Sequence, residues 1–186
     1  MNAYELPTCL EAGDQILHIR NDGDYRMVID VNIALTDREL TEQERAITAL
    51  TIFYDCPIGE IEDIQAAANA MVEFIAAGEN DDGGKKKPKL IDWEDDAGMI
   101  ISGVNKVLGK EVRAERYMHW WTFIAAYMAI GDSVLATVVG IRDKIARGKK
   151  LEKHEKDFKR DNPHYFKVRK KEAQADFALL LEIIDG

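Results

Sequence analysis

The side chains with most capacity for chemistry are a carboxylate run, four scattered histidines, two cysteines and a basic stretch carrying two aromatics. Asp92, Glu94, Asp95 and Asp96 stand almost in series, and carboxylate oxygens are the ligands that hard cations such as Mg²⁺ or Ca²⁺ take. Successive helical positions point about 100° apart, so such a run does not converge on one ion. It reads more simply as a helix start, with Asp92 ahead of Trp93 and acidic groups where the helix dipole favours them. His18, His119, His154 and His164 form no pair at ligand spacing with an acidic third ligand, apart from the distant His154 and His164 on either side of Pro163. Ser102 and Ser133 lie outside any nucleophile-elbow pattern, and no glycine loop for phosphate or dinucleotide is present. Cys9 and Cys56 match no metal-ligand spacing and read as free thiols of a reducing compartment. The expectation is therefore a protein that is not an enzyme, with no catalytic residue, no cofactor and no metal.

Charge is divided unevenly along the chain. The formal net charge is −9, residues 1–100 holding 8 basic and 22 acidic side chains and residues 101–186 holding 17 basic and 12 acidic. Bulk acidity argues against general nucleic-acid binding, which depends on cations displacing counterions from phosphates. Residues 142–171 nevertheless hold 13 Lys and Arg against 5 Asp and Glu, and Tyr165 and Phe166 sit among them. Nucleic-acid binders use that mixture for stacking; a solvated helix with its aromatics tucked back on the body is the reading the acidic remainder favours.

The stretch that must organise the rest is Tyr117–Met128, where two of the three tryptophans stand side by side. Read as one helix, it puts His119, Phe123 and Tyr127 on one face and Trp120 and Ile124 on the next. Apolar around most of its girdle, it is expected to be buried on several sides, each buried aromatic contributing on the order of 2 to 3 kcal/mol. His119 on such a helix is expected as a neutral imidazole bonded to a neighbouring helix.

The remaining elements follow from caps and periodicity. Residues 1–14 read as an extended lead-in with a short strand, which Gln15–Arg20 extends, ending in the turn Asn21–Asp24. After it Val31, Ile33 and Leu35 alternate as in a strand, but Tyr25, Val28, Ile29 and Ile33 have helical spacing and Asp24 is a good cap, so a helix over 26–35 is favoured; the Thr41/Glu44 capping box opens another over about 42–54. Ile61, Ile64, Ala67, Ala68, Met71 and Ile75 outline a third helix, paired with the second as a hairpin and closed by Gly78 in a left-handed cap. Residues 79–91 read as an exposed polar loop. A helix from Asp92 to about Leu108 would bury Trp93, Ala97, Ile100, Ile101, Val104 and Leu108 and end at Gly109. The tryptophan helix would begin near Ala114, and Asp132 would cap a short helix interrupted by Gly140. Helical composition then runs to the stop at Asn162 and Pro163, and Phe177, Leu180, Leu181 and Ile184 mark a C-terminal helix over 168–186. The fold class is mainly α: a single helical domain over 1–186 of about six to eight helices, with a short N-terminal strand or hairpin. No stretch reaches the roughly 20 apolar residues of a membrane span, so the expected place is the cytoplasm, with no membrane partner.

Asp92, Trp93, Glu94, Asp95 and Asp96 at one helix start, then His119, Trp120, Trp121, Thr122 and Phe123, then Gly140, Ile141, Arg142 and a Lys-rich helix, resemble the bacteriophage Gp15 protein family. Asn21–Arg26 and the helices up to Gly78 are similar too, so the resemblance covers most of residues 15–160. It implies a protein of long-tailed phages or prophages of low-GC bacteria, encoded among tail genes near the tape-measure gene. It further implies a tail assembly chaperone that holds the tape-measure protein soluble, with that protein and other tail proteins as partners and no catalytic residues carried over. A homo-oligomer is left open. Two other readings stand beside it: a minor structural tail protein retained in the virion, and a nucleic-acid-binding phage factor using residues 142–171.

Overall fold

The structure, a computed structural model, describes residues 5–77 and 90–167. They are mainly helical, with seven α-helices and one antiparallel hairpin among them, and they group into two compact units. The first comprises residues 5–77 and 113–125, the second residues 90–112 and 126–167.

The first unit opens with β1 (Cys9–Ala12) and β2 (Gln15–His18), paired so that Cys9 faces His18 and Leu10 faces Leu17. Leu10 and Leu17 are buried and their neighbours exposed, the alternation of a strand pair with one wet face. The turn that follows is left-handed at Asn21, Asp22 and Gly23. A Cβ at Gly23 would stand 2.9 Å from the Phe74 ring, so both the backbone angle and the space require glycine there. α1 (Tyr25–Thr36) starts as expected: the Asp24 carboxylate accepts the Arg26 N–H at 2.9 Å. α2 (Glu42–Phe53) opens on the Thr41/Glu44 capping box. α3 (Ile64–Ile75) starts later than its periodicity suggests, because Ile58–Glu60 forms a 3₁₀ turn and Asp63 supplies the cap. Its fully buried centre is Phe74 rather than Ile75. The left-handed residue after it is Ala77 (φ 52°); Gly78 lies outside the described residues.

α5 (Trp120–Met128) gives its residues up to Ala125 to the first unit and the rest to the second. It begins six residues after the Ala114 start expected, because Val112–Ala114 is a separate 3₁₀ turn and Tyr117–His119 is not helical. Nor is it buried all round: Trp120, Phe123 and Ala126 are buried, Trp121 and Tyr127 half-buried, Ala125 and Met128 exposed. One face, spaced i, i+3, i+6, does the anchoring. Trp120 is 1% exposed, and Phe123 stacks on Tyr25 with ring centres 4.3 Å apart.

In the second unit α4 (Ala97–Leu108) begins after a turn over 93–96, four residues beyond the expected start at Trp93. Ile100, Gly103 and Val104 are its buried face; Ala97 is exposed, and Ile101 and Leu108 are half-buried. Gly109 ends it in the left-handed conformation, its N–H returning to Asn105. α6 (Val134–Ala146) is capped by Ser133, not Asp132, and runs through Gly140 without a break. A lone glycine costs a helix only about 1 kcal/mol, which the buried face of Leu135, Val138 and Ile141 offsets. α7 (Lys153–Asp161) stops at Asn162 and Pro163 as expected. Of the polar loop expected over 79–91, residues 79–89 lie outside the described ones, and Leu90 and Ile91 are half-buried rather than exposed. The C-terminal helix expected over 168–186 also lies outside them. No described helix is long and apolar enough to cross a membrane.

Trp120→Ala should destabilise the chain by about 3–5 kcal/mol, the usual cost of emptying a buried aromatic site. Urea melts of the variant and parent measure this; an unchanged midpoint would contradict burial of that ring.

Candidate functional site

The residues singled out by sequence separate into two groups, His119, Trp120, Trp121 and Phe123 in the first unit and Asp92, Trp93 and Arg142 in the second.

In the first unit His119 is 2% exposed and both its ring nitrogens are engaged. Nε2 lies 3.1 Å from the Pro7 carbonyl, and Nδ1 accepts the Trp121 backbone N–H at 3.0 Å. Since the carbonyl can only accept, Nε2 must carry the proton and Nδ1 must be bare. The ring is therefore a neutral imidazole, and burial holds its pKa below the usual histidine value. Its partner is a carbonyl of the N-terminal segment, not a neighbouring helix. His119 sits just before α5, where its side chain takes one of the unpaired N–H groups of the first turn and its own carbonyl takes the Phe123 N–H. The two indoles do the converse for α3: Trp120 Nε1 donates to Ile75 O and Trp121 Nε1 to Phe74 O, each at 2.9 Å. The end of α3 thus closes on indole donors. Asp24 completes the group, its carboxylate accepting from the Met118 N–H at 3.0 Å and from Arg26. Arg26 reaches on to the Glu115 carbonyl at 2.7 Å.

In the second unit Asp96, 2% exposed, meets Arg142 in a two-pronged pair with N–O distances of 2.6 and 3.0 Å. The guanidinium spends its other donors on the Leu90 carbonyl at 2.8 Å and the Tyr165 carbonyl at 2.8 and 3.2 Å. One cation therefore ties three separate stretches of chain. Asp92 supports Asp96 by donating its N–H at 2.9 Å, while its own carboxylate accepts the Glu94 and Asp95 N–H groups. This turn, rather than a helix cap, is what the acidic run forms. Trp93 is half-buried with its ring 5.5 Å from that of Tyr127. Beside this group, α4 and the start of α6 border an open cavity of about 510 Å³, lined among others by Gly98, Met99, Lys106, Val134 and Tyr165.

Among the described residues no group of three or more His, Cys, Asp or Glu side chains could hold a metal ion. The one titratable ring buried in the first group is fixed in a single tautomer between backbone partners, and the buried carboxylate of the second is neutralised by arginine. These groups do the work of joining segments.

A family model described as Bacteriophage Gp15 protein matches residues 5–167. The chain belongs to that family. No curated protein and no solved structure matches it. Within this Gp15-family chain, sequence reasoning found the tryptophans, His119 and Arg142 but missed Asp96 as the arginine's partner and Tyr165 as its carbonyl. The pair is 46 residues apart, and the only available signal was one Asp in a run of four that could not be told from its neighbours. The basic region is partly neutralised: Lys144 pairs with Glu155, Arg147 with Asp143, and Arg160 with Asp157 and Asp161. Tyr165 and Phe166 are half-buried, and Phe166 meets Phe158 edge-on.

Asp96→Ala and Arg142→Met should each cost about 3–5 kcal/mol, because either leaves a desolvated charge alone. Together they should cost far less than the sum, since the second change removes the charge the first one stranded. Denaturant melts of all four proteins decide it: additive losses would show that the two side chains do not act as a pair.

Proposed function

We propose that this Gp15-family chain is a tail morphogenesis protein that acts as a tail assembly chaperone and is not an enzyme. Its partner would be the tape-measure protein, held soluble in the host cytoplasm until tube subunits polymerise around it. The observation that carries the reading is the family match across residues 5–167. The use of the distinctive residues agrees with it. His119 and the indoles in the first unit and the Asp96–Arg142 pair in the second are engaged in holding segments together, as suits a chain that binds rather than transforms. Apolar side chains left in water, Ile33 and Ile47 in the first unit and Val107, Val134 and Ile145 in the second, lie on helices and offer candidate positions for packing against helical tape-measure segments.

Co-expression with the tape-measure protein, followed by affinity capture and by mass spectrometry of purified virions, tests this. A chaperone should raise the soluble tape-measure fraction, co-purify with it and be missing from mature particles. Failure to co-purify would refute the partner, and stoichiometric presence in virions would favour the structural tail subunit instead.

A further inference from the structure

The outer face of the N-terminal hairpin carries polar side chains that the fold does not use. Cys9 and Glu11 on β1 and Ile16 and His18 on β2 are exposed, while Leu10 and Leu17 between them are buried. The register sets Cys9 directly opposite His18. The next pair outward is bonded, Ile19 N–H to Thr8 O at 2.9 Å, and the His18 carbonyl accepts the Asp55 N–H on the other side at 3.0 Å. His18 therefore turns its backbone groups away from Cys9. In such a pair without mutual backbone bonds the Cα atoms are about 4.5 Å apart, the closest approach that side chains make across two strands.

A thiol and an imidazole so placed are the donors that a borderline divalent ion takes, sulfur at about 2.3 Å and nitrogen at about 2.0–2.1 Å from zinc. Cβ atoms about 4.5–5.5 Å apart let both reach one ion without moving the backbone. Neither side chain makes a hydrogen bond or ion pair with another described residue. Cys9 also keeps its thiol. Cys9 and Cys56 are both free, Cys56 following Asp55, whose N–H meets β2 on the edge away from Cys9. The sequence hid the pair because nine positions separate its members and only the hairpin register joins them.

The geometry points to Cys9 and His18 as a two-point chelate for Zn²⁺ or a similar ion, its other positions filled by water or by a donor from another molecule. On binding, the thiol proton leaves to solvent, sulfur and one bare imidazole nitrogen each bond the metal, and nothing is oxidised. The proposal is independent of the chaperone reading.

Titration of the reduced full-length chain with Co²⁺, followed by ultraviolet and visible absorption, tests it. The parent should develop a thiolate-to-cobalt charge-transfer band that Zn²⁺ displaces. Cys9→Ser should abolish the band, His18→Ala should weaken binding at least tenfold, and Cys56→Ser should change neither. Both tested side chains lie outside the core, so the circular dichroism spectrum of each variant should match the parent's. Absence of a band in the parent, a band that survives Cys9→Ser, or affinity unmoved by His18→Ala would each overturn the assignment.

Discussion

An imidazole taken out of water must find a partner for each ring nitrogen, and the first unit is built around meeting that demand at His119. Its Nε2–H points to the Pro7 carbonyl, its Nδ1 receives the Trp121 N–H, and the ring edge lies against the position where Gly23 lacks a Cβ. The left-handed turn at Asn21–Gly23, the start of α5 and the N-terminal segment are thereby fixed to one group. Burial depresses the pKa of the ring, so the neutral form dominates in the folded state. The linked stability is complete above the ordinary histidine pKa, near 6.5, and is lost as pH falls below it towards the lower folded value.

Side chains closing the ends of helices recur through the molecule. α3 ends on two indole N–H groups, and α2 ends on Arg20, which donates to the carbonyls of Thr51, Ile52 and Tyr54. In the second unit Arg142 reaches the carbonyls of Leu90 and Tyr165 as well as Asp96. The last carbonyls of a helix and the carbonyls of irregular segments have no partner of their own. Long donors that span from another segment satisfy them and fix tertiary contacts at the same time. In this chain tryptophan, histidine and arginine are the side chains that do so, and they serve assembly of the fold.

Local signals were legible and distant ones were not. The Thr41/Glu44 box, the Asp24 cap and Gly109 each work within four residues, and each stands where the sequence put it. α5 starts later than the apolar pattern suggests, because Tyr117–His119 continues the apolar character of a helix while its backbone is committed to Asp24 and Tyr25. The acidic run from Asp92 could be recognised as a start, but which carboxylate becomes buried depends on Arg142, far along the chain. Gly140 does not interrupt α6, since packing on either side outweighs a single poor helix former. Of the two tryptophans, only Trp120 is fully sequestered; periodicity could not separate them, because adjacent positions differ by only about 100° on the helix.

The first unit rests on a sequestered, neutral His119 that holds its two backbone partners. Nitrogen-15 NMR of the imidazole across pH reads this directly, since protonated and bare ring nitrogens resonate far apart. The prediction is an Nε2–H tautomer whose signals stay unchanged as the pH passes through about 6.5, with protonation arriving only at lower pH. A ring that titrates at the ordinary histidine value, or that exchanges between tautomers, would contradict it.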